Sequence, residues 1–224
     1  MLLAGTCLLA LGAPAAAQDV PDTLPGLENA PPFVADVVIT NAQVKGVQYR
    51  MYYIPGYMRL ESTGPTPDGS KQVILSHLRE NVSFVDLGGQ WYKVSNNALG
   101  AQGLQYGSTS GFRTQRLGKR TVDGKLCEGY KFTSPDGATR VEQWLWGQYP
   151  ILATVQNQMG TTTAKYLSLR PQSTPASYFA PPAGQPVQDL GALTGGGGLP
   201  AGGLPGGGLP QGMSQQDLQK LLGN

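Results

Sequence analysis

Turn signals recur along this chain at intervals that leave room for a strand but not for a crossover helix, and this constrains the fold more than any other feature. Asp123-Gly124 is the clearest. It sits between Arg116–Val122 and Lys125–Thr133, both rich in β-formers, and this dipeptide favours the type I′ turn whose twist suits a two-residue hairpin. Ser134-Pro135-Asp136-Gly137 reads as the next turn, with proline pre-setting the first dihedral angle. Pro55-Gly56, Pro67-Asp68-Gly69, Gly88-Gly89 and Met159-Gly160 mark four more. Between these marks lie about eleven strand candidates, near residues 34–42, 46–53, 57–62, 71–77, 81–87, 90–95, 112–121, 125–134, 138–147, 150–158 and 161–169. Parallel pairing needs long crossovers, so sequence neighbours are expected to pair antiparallel. A sheet of that many strands does not stay flat; it curls, closes or splits into two layers. Residues 96–110, rich in Gly, Asn and Gln, read as a long loop or short irregular helix.

Composition agrees. Charged residues are 13% of the chain, while glycine and proline supply 32 and 18 positions, which excludes a helical bundle or coiled coil. A net charge of +2 implies, by its total, no strong attraction to nucleic acid or to an anionic membrane.

The ends have a different texture. Residues 1–17 carry no charge, hold a Leu/Ala core from Leu2 to Leu11 and finish in Ala15-Ala16-Ala17. They read as a signal peptide cut after Ala17, which predicts an exported, periplasmic protein. The apolar run is too short to span a bilayer, and no second one approaches that length. Cys7 lacks the Leu three places before it and the Gly or Ala immediately before it that lipidation needs. Residues 18–32 form a Pro-rich leader, 33–184 the folded domain, 185–212 a Gly/Pro-rich tether and 213–224 a short amphipathic helix. Gly-Gly-Leu-Pro begins at Gly197, Gly202 and Gly207 within the tether. The terminal helix has Ser214 as N-cap, with Met213, Leu218, Leu221 and Leu222 able to dock into a groove. Such a helix is marginal alone, so it is expected to form against its own domain or an envelope protein.

Several strands carry apolar residues on both faces, which a sheet with one wet side does not. Val47, Tyr49, Met51 and Tyr53 share one face; Trp144 and Trp146 share one with Glu142, opposite Val141 and Leu145. Two apolar faces need two covers, and a lid, a ligand or another chain supplies the second. Tyr49, Met51, Trp91, Trp144 and Trp146 are the candidate ligand-binding residues, since large rings dominate binding where they line a groove.

Reactive constellations are missing. One histidine and two cysteines, one of them in the signal segment, do not make a usual zinc site. No nucleophile elbow, phosphate loop or dinucleotide fingerprint follows a strand. Cys127 with His77 is the one thiol–imidazole combination, yet Cys127 sits inside a strand pattern and reads as a buried small hydrophobe. No cofactor, metal or catalytic residue is expected. The basic stretch Arg113, Arg116, Lys119, Arg120, Lys125 and Lys131 is the only concentration of charge. It reads as a solvated hairpin surface, with anionic lipid or polymer contact as the alternative. Arg59 and Glu61 read as a surface charge pair.

The order Phe33-Val34-Ala35-Asp36, Tyr57-Met58-Arg59-Leu60-Glu61 and Gln90-Trp91-Tyr92 resembles a group of bacterial periplasmic proteins related to the outer-membrane lipoprotein carriers of the LolA and LolB kind. Leu117-Gly118, Val122-Asp123-Gly124, Cys127, Tyr130, Glu142-Gln143-Trp144, Tyr149-Pro150 and Phe179 to Pro182-Ala183-Gly184 continue it. The resemblance covers residues 33–184. It implies a mainly β fold, an eleven-stranded antiparallel meander curled into an open half-barrel with one or two short helices. Its apolar concave face holds acyl chains or a partner segment. The Gly-Gly-Leu-Pro tether and terminal helix depart from such carriers. The expectation is a non-enzymatic binding module for a lipid-like or hydrophobic ligand. The alternative is an envelope interaction protein that docks a partner through its terminal helix.

Overall fold

A computed structural model of the chain describes residues 30–41, 46–64, 71–96, 111–158 and 160–189. The signal segment, most of the leader, the Gly-Gly-Leu-Pro tether, the terminal helix with Met213, Leu218, Leu221 and Leu222, the Pro67-Asp68-Gly69 turn and residues 97–110 lie outside these.

Two antiparallel meanders make up the structure. The first runs through β1 (Phe33–Thr40), β2 (Val47–Ile54), β3 (Tyr57–Ser62), β4 (Gln72–His77), β5 (Val82–Leu87) and β6 (Gln90–Ser95). The second runs through β7 (Arg113–Val122), β8 (Lys125–Thr133), β9 (Arg140–Trp146), β10 (Tyr149–Asn157) and β11 (Gly160–Tyr166). All eleven sequence candidates are present. Asp123 and Gly124 both take positive φ, +47° and +76°, as a type I′ turn requires. The Ser134 carbonyl accepts from Gly137 N–H at 2.9 Å and closes the next turn.

The meanders join through β1 and β11, which pair antiparallel from Val37 opposite Tyr166 to Thr40 opposite Thr163. Two short strands follow: β12 (Arg170–Pro171) pairs with the start of β1, and β13 (Val187–Asp189) pairs parallel with β6. The sheet order is β13-β6-β5-β4-β3-β2-β1-β11-β10-β9-β8-β7, with β12 beside this path. Its edges do not meet, so the sheet is an open half-barrel rather than a closed one. β13 lies within the stretch read from sequence as the start of the tether. A parallel strand needs a long connection from elsewhere, and residues 172–186 supply it by crossing the sheet. That crossing contains a 3-10 turn at Ala176–Phe179.

Alternation along each strand sorts side chains onto two faces. One face, here the inner, carries the larger part of the apolar core, in two clusters. Phe33, Ala35, Val37 and Ile39 of β1 lie beside Tyr49, Met51 and Tyr53 of β2, then Met58 and Leu60, Ile74, Val85, and Tyr92 and Val94. Ala164 and Tyr166 carry it to the second meander. Val155, Val141, Leu145, Tyr130 and Phe132 form a second cluster on the same face, from β10 to β8. Phe33 ties the curl together: its ring stacks on Tyr53 at 5.2 Å and meets Tyr149 and Tyr166 edge-on.

Candidate functional site: the two faces of the sheet

Tyr49 and Met51 lie together on the inner face, as their spacing requires. Met51 is fully buried, and the Tyr49 hydroxyl donates to Gln72 Oε1 at 3.1 Å across β3. Burial raises the Tyr49 pKa, so the phenol stays neutral and hydrogen-bonding. Met58 adds a second thioether. Unbranched thioethers adapt to irregular shapes better than Leu or Ile, so this is the part of the row best able to repack. Ser76 and Ser83, paired hydroxyl to hydroxyl at 2.7 Å, are polar members of the same face.

The three tryptophans stand elsewhere. Trp91 is opposite Asp86 in register and therefore on the outer face, while its neighbour Tyr92 points inward. Trp144 is also outside: Val141 and Leu145 of its strand belong to the inner cluster, whereas Trp144 packs with Cys127 and Ile151. Its indole lies flat on Gly129, where a Cβ would come within 2.6 Å of the ring, so only glycine fits. The Arg120 guanidinium covers the other side of that ring at 3.7 Å from its centroid. Trp146 shares this face but is 44% exposed, against 8% for Trp144. The five candidates therefore do not form one groove. Aromatic content singled them out, and content alone carries no information about which side of a sheet a residue faces.

Sequence reading missed a strap over the outer face of the first meander. Residues 172–189 cross it, and Phe179 is 1% exposed there, against Tyr57 and beside His77. The His77 Nε2 donates to the Phe179 carbonyl at 2.9 Å. Arg59 Nη1 donates to the Tyr178 carbonyl at 2.9 Å while its guanidinium lies 4.1 Å from the Tyr178 ring centroid. The Tyr178 hydroxyl donates to Glu61 Oε1 at 3.0 Å, and Glu61 also pairs with Arg59 at 2.6 Å. Burial, then the bonds to Tyr52 and Glu61, push the Tyr178 pKa up to about 12. Arg59 and Glu61, read as a surface pair, thus anchor the strap. Gln90 reaches the Pro186 carbonyl at 3.2 Å, and Lys93 reaches Asp189 at 3.2 Å. The signal was present in Tyr178-Phe179, two aromatics inside a Pro- and Ser-rich stretch.

Cys127 and His77 are far apart in the sheet. Cys127 is on β8 and His77 on β4, with six strands between them in the sheet order. Cys127 is fully buried, and burial raises its thiol pKa. That is the reverse of what a nucleophilic thiolate needs. Among the described residues no group of three His, Cys, Asp or Glu side chains is placed to hold a metal, and no helix is long and apolar enough to cross a membrane.

An open, curled antiparallel sheet with an apolar inner face defines the class: it is the half-barrel architecture that the sequence resemblance implied. No family model matches the chain. No curated protein matches it in sequence. Among solved structures it is similar to an uncharacterized conserved protein from Thermus thermophilus, with a TM-score of 0.50 and 11% identity over 72% of this chain and 92% of that one. A LolA superfamily protein from Nitrosomonas europaea (TM-score 0.39, 12% identity, 68% of this chain and 91% of that one) is also similar. So is the lipoprotein LppX of Mycobacterium tuberculosis (TM-score 0.41, 12% identity, 66% and 90%). At 11% identity the likeness to the Thermus thermophilus protein concerns the fold and says nothing of a ligand.

Proposed function

We propose that this protein is an exported, periplasmic binding module that takes a hydrophobic or lipid-like ligand against the inner face of its half-barrel, without covalent chemistry. The observation that supports this reading is the extent of the apolar inner face, one large cluster running from Val94 on β6 through β1 to Tyr166 on β11 and a second on β8 to β10 that includes Phe132. Tyr49 and Met51 are its proposed ligand-facing residues. The row is out of water in this structure, so a ligand enters by parting its side chains. Met51 and Met58 are the members with the freest rotamers for that movement. The fixed polar groups near them, the Tyr49–Gln72 bond and the Ser76–Ser83 pair, are few, as suits a ligand recognised by its apolar length.

Titrating the detergent-free protein with a solvatochromic naphthylamine dye, and extracting the purified protein for lipid analysis, tests the reading. Saturable fluorescence enhancement that a long-chain fatty acid displaces is the expected result. Neither enhancement nor co-extracted lipid overturns it.

A further inference from the structure

We infer that one end of the second meander is a docking surface for an anionic lipid bilayer. Its components come from three strands that finish or begin at the same level. β8 starts at Lys125, β9 ends at Trp146, and the register Glu128 opposite Leu145 aligns the two. β11 finishes close by, because Leu152 pairs with both Trp144 and Lys165.

Three of the five large hydrophobic side chains that are exposed among the described residues gather here: Leu126 at 63%, Leu167 at 49% and Trp146 at 44%. Around them stand cations. Lys125 Nζ is 5.7 Å from the Trp146 ring centroid, Arg120 lies over Trp144, and Lys119 shares the Leu126 side of the β7–β8 ribbon. The nearby carboxylates are already engaged, Asp123 with Lys165 and Glu128 with Arg116. Glu142 faces Lys131 further along the strands. Arg120 and Lys125 form no ion pair among the described residues, and Lys119 stands opposite Glu128, whose carboxylate is held by Arg116.

Charge selects the occupant. Residues 113–166 hold eight Lys and Arg against four Asp and Glu, whereas residues 33–96 hold six against five. A half-exposed indole beside a lysine suits the headgroup level of a bilayer, where the ring is half-buried and the ammonium reaches phosphate. Leu126 and Trp146 project from opposite faces of the ribbon, so the sheet enters the interface end-on. An acidic polypeptide would satisfy the cations but leave both apolar side chains without a partner. This surface borders the end of the inner face, since Leu126 lies on the inner side and the Trp146 ring is 6.5 Å from that of Tyr149, which meets Phe33; its exposed side chains are none of those proposed to face a ligand.

Flotation of the full chain with vesicles of phosphatidylcholine alone, or with a third phosphatidylglycerol, tests it. The protein is expected to float with the anionic vesicles only, and less in 0.5 M salt. Each cation near an anionic surface contributes about a fivefold gain in partitioning, so Lys119→Gln with Lys125→Gln is expected to weaken binding about 25-fold. Leu126→Ser with Trp146→Ser is expected to lose binding at unchanged charge. Melting curves check that both variants are folded. No flotation, equal flotation with both vesicle types, or unchanged binding by either folded double variant overturns the inference. So does salt-sensitive binding to polyglutamate without vesicle binding, which indicates an acidic protein partner. The dye titration above reads the inner face without vesicles, so the two readings fail independently.

Discussion

The outer faces of the two meanders are built from the same kind of strand and finished in opposite ways. On the first, a returning segment lays Phe179 over β3 and β4, and Arg59, Glu61 and His77 hold that segment by its backbone and by Tyr178. β13 then occupies the open edge of β6. On the second, a single tryptophan lies on Gly129 under Arg120, Trp146 is left half in water, and the edge strand β7 carries its charges outward. An unpaired edge invites pairing with another chain, and basic side chains are one of the means that oppose it. The first half is covered by a distant segment of the chain; the second is covered only by its own side chains and leaves Trp146 and Leu126 exposed.

Removing the strap's anchor is the harshest way to break that contrast. Phe179→Ala is expected to cost about 4 kcal/mol in urea denaturation, since it deletes a fully buried ring. A loss under 1 kcal/mol would mean that the strap is dispensable and the halves are alike. Gly129→Ala drives a methyl into the Trp144 ring and is expected to cost about 2 kcal/mol by the same measurement. The cost is confined to the second half, so hydrogen exchange of β3 and β4 is expected to stay unchanged.

Alkaline pH sharpens the comparison on the strap side. The folded Tyr178 pKa stands above that of a free phenol, so its contribution to stability is complete below about pH 10 and is lost as pH rises through about 12. Tyr178→Phe is expected to flatten the alkaline limb of stability relative to wild type; identical limbs would remove Tyr178 from the account. The smallest effect belongs to the exposed side. Trp146→Ser is expected to change stability by no more than about 0.5 kcal/mol, yet to remove most of the iodide-quenchable tryptophan fluorescence, because Trp91 and Trp144 are buried.

Much of this architecture was legible in local chemistry. Asp123-Gly124 is a turn because both residues tolerate positive φ. Tyr49, Met51 and Tyr53 share a face because side chains alternate. Arg59 and Glu61 illustrate the limit. Their spacing shows that they can pair, but their role depends on Tyr178, more than a hundred residues later. The tryptophans illustrate it again, since alternation groups residues within a strand without saying which group turns inward.

By itself the sequence determined the strands, their turns and the two sets of side chains on each, because those follow from dihedral preferences and spacing within a few residues. Only tertiary structure decided that β1 closes on β11, that β13 runs parallel to β6, and that the strap covers one outer face while Trp144 and Arg120 cover part of the other. Each of those depends on contacts between residues far apart in the chain, whose energies exist only once the sheet has curled to bring them together.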